Sequence, residues 1–173
     1  MKKIQITASG VVIFGLAAGI ALAQGFVNVR APLSGFDEVP AVSTTGDGEF
    51  RARLDTTSGE IAFELSYDAL EGNVLQAHIH IGKSGTNGGV AVFLCTNLGN
   101  FPAPPCPSSP GSVSGTITAA DVIGPSAQGI AAGEFDELVR AIRAGAAYIN
   151  VHSDKFQGGE IRGQIAPGNS GAK

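Results

Sequence analysis

The chain has 173 residues, 43% of them hydrophobic and 15% charged, with 15 acidic against 11 basic side chains and a formal net charge of −4. An acidic chain without basic runs argues against nucleic acid or an anionic membrane surface as a partner. The length suits one domain, which at this size buries roughly 70% of its unfolded surface.

Residues 1–23 read as a signal peptide: Lys2 and Lys3, an apolar run over 11–22, and Ala21-Leu22-Ala23 before Gln24. The run is broken by Gly15 and Gly19 and is short for a bilayer-spanning helix, so no membrane attachment is expected after cleavage. Cleavage after Ala23 leaves 150 residues with nine basic side chains against fifteen acidic ones, a formal charge of about −6. The expected location is the periplasm or outside the cell. Export places the two cysteines, Cys95 and Cys106, in an oxidising compartment, where a disulfide is expected. It closes a segment too rich in proline and asparagine for regular structure.

Residues 24–166 read as one β-rich domain. Period-two alternation predicts strands at about 26–33, 48–54, 60–67, 74–81, 89–95, 112–118, 146–152 and 159–165. The clearest is Glu60-Ile-Ala-Phe-Glu-Leu-Ser-Tyr67, with Ile61, Phe63, Leu65 and Tyr67 on one face and Glu60, Ala62, Glu64 and Ser66 on the other. Asp55-Thr-Thr-Ser-Gly59 carries the turn chemistry of a hairpin between the second and third strands. One segment departs from period two: Phe135, Leu138, Val139 and Ile142 recur at helical spacing, acidic residues precede them, Arg140 and Arg143 close the pattern, and Gly145 stops it. The expected fold is an all-β, about eight-stranded antiparallel sandwich of Greek-key type with one short helix. Residues 167–173 are Gly/Ser-rich and read as a disordered tail.

All three histidines fall on the polar side of predicted strands: His78 and His80 in Gln76-Ala-His-Ile-His-Ile81, and His152 in Ala147-Tyr-Ile-Asn-Val-His152. If the two strands share a sheet, three imidazoles converge on one patch. Three imidazoles suit copper or zinc and leave a fourth position open, and Tyr148 and Asn150 on the same face are candidate hydrogen-bond partners. The alternative is a metal-free polar network or recognition surface, with His78 and His80 as solvated sheet-face residues and His152 as a hydrogen-bonded strand histidine. Alternation adds Gln76, Glu160, Arg162 and Gln164 to that face, with Glu160 and Arg162 as a potential ion pair. Asp37-Glu38-Val39-Pro40 reads as structural, with Pro40 ending strand pairing and Glu38 near a basic neighbour such as Arg162. No nucleophile triad, Cys/His pair or phosphate loop accompanies these residues, so an enzymatic role is not the first expectation.

Leu33-Ser-Gly-Phe-Asp-Glu-Val-Pro40, Ala77-His-Ile-His-Ile-Gly82, Gly115-Thr-Ile-Thr118, Ala147-Tyr-Ile-Asn-Val-His-Ser153 and Gly158-Gly-Glu-Ile-Arg-Gly-Gln164 together resemble the chordin-type (CHRD) domain. The resemblance implies a secreted or periplasmic β-rich domain and brings no reaction with it. A second likeness is to the copper/zinc superoxide dismutases, in which a His-x-His strand and a later strand histidine supply copper ligands. His78, His80 and His152 are similar in kind and order, but this chain has no fourth histidine for the bridging position and no His/His/Asp zinc set. Two functions follow as expectations. The first is an exported domain that binds a protein partner, a cell-surface ligand or a metal through the polar face around the histidines, Tyr148, Asn150, Glu160 and Arg162. The second is a three-histidine copper protein with a dismutase-like or copper-holding role.

Overall fold

The chain's computed structural model describes residues 26–167, so the expected signal peptide and residues 168–173 of the expected tail lie outside the described part. All eight predicted strands are present: β1 Phe26–Ser34, β2 Asp47–Asp55, β3 Glu60–Asp68, β4 Val74–Ile81, β5 Val90–Thr96, β6 Gly111–Ile117, β7 Ala147–Ser153 and β8 Ile161–Gln164. A two-residue strand, β9 Ala166–Pro167, follows and pairs with β1. It was not predicted, because two residues cannot display a period.

The strands form one hydrogen-bonded sheet in the order β5-β4-β7-β8-β1-β2-β3-β6, with every pair antiparallel. The edge strands β5 and β6 approach each other, so the layers expected of a sandwich belong to one sheet that nearly closes on itself. At the β2–β3 turn the Asp55 carboxylate accepts from the Thr57 and Ser58 amides, and Gly59 takes the positive φ (72°) that closes the hairpin. The predicted helix is α1, Phe135–Arg143, and it buries Phe135, Leu138, Val139 and Ile142. Gly145 ends it at φ 61°.

Inward residues of β1 to β8 make one core, among them Val29, Ala31 and Leu33 from β1, Phe50 and Leu54 from β2, Ile61 and Leu65 from β3, Ala77 and Ile79 from β4, and Ile149 and Val151 from β7. The two halves of the sheet differ on their outer face. In β3 burial alternates, as expected of a half-solvated strand, whereas all seven residues of β7 are buried. Loops therefore cover the outside of β4, β7 and β8, and a second, polar interior lies beneath them. The Cys95–Cys106 disulfide is formed, and it holds one of those covering loops.

Candidate metal centre

The three histidines meet on this covered outer face. In the β4–β7 ladder His78 lies opposite Asn150, His80 opposite Tyr148, and Gln76 opposite His152. The pairing of β4 with β5 shifts register between Ala77 and His78 and again between Ile79 and His80. Such bulges bend a strand and re-aim its side chains. The result is a compact group: the His78 and His152 ring centroids are 4.9 Å apart, His78 and His80 5.3 Å, and His80 and His152 6.3 Å. One nitrogen from each ring lies within 4.8 Å of the others, and among the described residues the group contains histidines alone.

Burial corrects one expectation. His78 is 2% exposed, His80 and His152 8%, Tyr148 and Arg162 2%, Asn150 3% and Glu160 0%, so these residues are not a solvated sheet face. Phe93 from β5 meets His78 edge-on at 4.4 Å, and Phe101 from the disulfide loop stacks on Phe93 at 4.7 Å. Tyr148 lies parallel to His80, and the Arg162 guanidinium sits 3.4 Å from the Tyr148 ring centroid. Arg162 also donates to Asn87 Oδ1 and to the Thr86 and Lys83 carbonyls, which ties down the loop over 82–89.

The predicted Glu160–Arg162 ion pair is absent among the described residues. Gly159 adopts φ 128° just before β8. The Glu160 carboxylate instead accepts from Thr44 Oγ1 at 2.8 Å and from the Glu71 amide at 2.6 Å. Glu38 is buried and feels the Arg162 charge, as expected of a basic neighbour, with the Asn150 side chain a further influence that lowers its carboxyl and with Oε1 buried without a hydrogen-bond partner. Burial, the largest influence, pushes its carboxyl up to about 7 against the pull of Arg162.

The hydrogen bonds assign the protons. His80 Nδ1 lies 2.9 Å from the Gly88 carbonyl oxygen and His152 Nδ1 lies 2.9 Å from that of Gln157. A carbonyl only accepts, so both Nδ1 atoms carry hydrogen and both Nε2 atoms present lone pairs. His152 Nε2 faces His78 Nδ1 at 3.1 Å and Asn150 Oδ1, another acceptor, at 3.0 Å. The Nε2 atoms of His78 and His80 are buried without a hydrogen-bond partner. Desolvation keeps the rings neutral: it pushes His78 down to about 3 and His80 to about 4, and it lowers His152 as well. The centre thus holds more lone pairs than hydrogens, an arrangement that a cation satisfies and a further proton does not.

Bonds of about 2.0–2.1 Å around one ion would bring three nitrogens to roughly 3.3–3.6 Å from one another. The His78–His152 contact is already that short, and His80 needs a side-chain shift of about an ångström from the 4.8 Å limit. The carbonyls of Gly88 and Gln157 fix two ring orientations from outside, as ligating histidines require. Sequence reasoning missed both, because a backbone carbonyl has no residue signature. Gly88 did carry a signal in retrospect: a Cβ there would lie 1.6 Å from the Ile81 carbonyl oxygen, so only glycine lets this loop close over β4.

A nearly closed antiparallel sheet with a buried cluster of three neutral imidazoles defines a small all-β domain with a candidate metal centre. The CHRD domain model matches residues 29–165, and the chain belongs to that family. No curated protein matches the chain.

Proposed function

We propose that this CHRD domain is an exported metal-binding protein in which His78, His80 and His152 hold a copper ion. The observation that carries the reading is the surplus of lone pairs at the buried centre, with two of the three rings locked by carbonyls in the tautomer that offers Nε2. Neutral imidazole suits copper and zinc, and a donor set of three neutral nitrogens without a carboxylate or thiolate among the described residues favours copper. Burial favours holding an ion over open-site catalysis, because rings 2–8% exposed present little surface to a substrate. It also favours an ion over a protein partner, since Tyr148, Asn150, Glu160 and Arg162 are covered by the protein's own loops. Export is supported by the pattern over residues 1–23 and by the Cys95–Cys106 disulfide. Among the described residues no helix is long and apolar enough to cross a membrane.

The test is elemental analysis of protein starting at Gln24 after copper loading and desalting, alongside His78→Ala, His80→Ala and His152→Ala. One copper per chain, lost in each variant whose far-UV spectrum is unchanged, is the expected result. Copper retained by all three variants would place the ion elsewhere.

A further inference from the structure

We infer that the centre is built for a monovalent soft cation, cuprous copper, in preference to Zn(II) or Cu(II). The inference rests on the metal-binding reading above and concerns which ion that site selects.

Charge is the first argument. The donors are three neutral imidazoles, and no Asp, Glu or Cys joins them among the described residues. The further oxygens against the rings are neutral: Asn150 Oδ1, 3.0 Å from His152 Nε2, and the Gly88 and Gln157 carbonyls. The fixed charge nearby is positive: the Arg162 guanidinium lies over Tyr148, whose ring stacks on His80 with centroids 4.9 Å apart. Glu38 interacts with Asn150 and lies in the field of Arg162, so its charge, when present, is set against the guanidinium. The cost of moving an ion from water into a low-dielectric interior rises with the square of its charge. A doubly charged ion is therefore penalised about fourfold more than a singly charged one, with no anionic ligand to offset it.

Coordination number is the second argument. Zn(II) takes four ligands and Cu(II) a tetragonal set, and with three histidine donors each would have to draw on water or a further protein atom. Here Phe93 packs edge-on against His78, Tyr148 stacks on His80, and the loop over 82–89 holds His80 through the Gly88 carbonyl, so the rings are flanked by aromatic side chains and backbone. Cu(I) needs only two or three nitrogen donors, so the three rings complete its coordination beside an apolar wall.

The experiment titrates the metal-free protein from Gln24 onward under argon with Cu(I), added as its acetonitrile complex in competition with bicinchoninate. Parallel titrations use Zn(II), and Cu(II) without reductant, and His80→Ala serves as the site control. Expected is one Cu(I) per chain, bound at least about a hundredfold more tightly than Zn(II) and dependent on His80. Tighter binding of Zn(II) or Cu(II) with the same dependence on His80 would overturn the inference and leave the metal centre standing. No binding of any of the three ions that depends on the histidines would overturn both.

Discussion

The imidazole of His80 and the phenol of Tyr148 stack face to face, 6° from parallel with centroids 4.9 Å apart. The same two residues are joined through Gly88, whose carbonyl accepts from His80 Nδ1 while its amide donates to the Tyr148 hydroxyl at 3.2 Å. One backbone unit thus orients the histidine and is itself held by the ring stacked against it.

Tyr148→Phe keeps the stack and removes the acceptor for the Gly88 amide. Loss of one buried hydrogen bond costs about 1 kcal/mol, equivalent to about 2–4 °C in Tm for a domain of this size. Faster hydrogen exchange at the Gly88 amide should accompany the lower Tm. An unchanged Tm together with unchanged exchange at that amide would mean that Tyr148 does not hold the loop.

Acid should destabilise the metal-free protein. His78 titrates near 3 and His80 near 4 in the folded chain, and His152 is lowered in the same direction, whereas the unfolded rings titrate near 6.5. Above that value both states leave the rings neutral. Below it the unfolded chain takes up protons that the native state refuses, so stability falls as pH drops, by up to about 1.4 kcal/mol per pH unit per histidine. Glu38 acts in the opposite sense over part of the range. With a folded pKa of about 7 against 4.5, it binds its proton more tightly when folded, and its contribution is lost as pH rises from 4.5 to 7. One carboxyl against three rings leaves the histidines dominant. Thermal melts of chelator-treated protein should show Tm falling between pH 6.5 and 5, and a flat or rising Tm over that interval would contradict the buried, neutral rings.

Removing the disulfide with Cys95→Ser and Cys106→Ser should cost about 3 kcal/mol by the chain-entropy estimate for a loop of this length. Phe101 sits inside that loop and stacks on Phe93, which in turn meets His78. Urea denaturation of the double variant measures the loss, and equal midpoints for variant and parent would show that the loop packs as well without its covalent tie.

Alternation made the strands legible, because one face of β3 keeps Ile61, Leu65 and Tyr67 inside while Glu60, Ala62 and Glu64 meet solvent. It also put His78, His80 and His152 on one face of two strands that prove to be neighbours. What alternation could not convey is that this face is covered. The cover comes from the loops over 35–46, 82–89 and 96–106, and their contacts run through backbone carbonyls, single aromatic rings and scattered polar side chains such as Thr44, Asn87 and Asn97, none of which has a period. Nor could alternation convey that Glu160 is engaged by Thr44 Oγ1 and the Glu71 amide in place of Arg162. The helix, by contrast, carried acidic residues, an apolar stripe and a glycine stop within eleven or so residues, and all three are local signals.

Arg162 should be the most costly polar residue to replace. It is 2% exposed, donates to Asn87 Oδ1 at 3.1 Å, the Thr86 carbonyl at 2.7 Å and the Lys83 carbonyl at 3.3 Å, and lies over the Tyr148 ring. Arg162→Ala leaves those acceptors without their donor, opens a cavity beneath the loop over 82–89, and removes the charge that draws on Glu38. A loss of about 3–5 kcal/mol is expected, the range found when one member of a buried charged network is deleted. Arg162→Lys retains a cation but lacks the planar fork that reaches several acceptors at once and lies flat on an aromatic ring, so it should recover only part of the loss. Because the same loop presents the Gly88 carbonyl to His80, both variants should also speed exchange of the Gly88 amide. Denaturant midpoints for the two variants, read beside that exchange rate, separate the effects. A lysine variant as stable as the parent would show that charge alone matters, whereas full loss in both would assign the stability to the fork and its three acceptors.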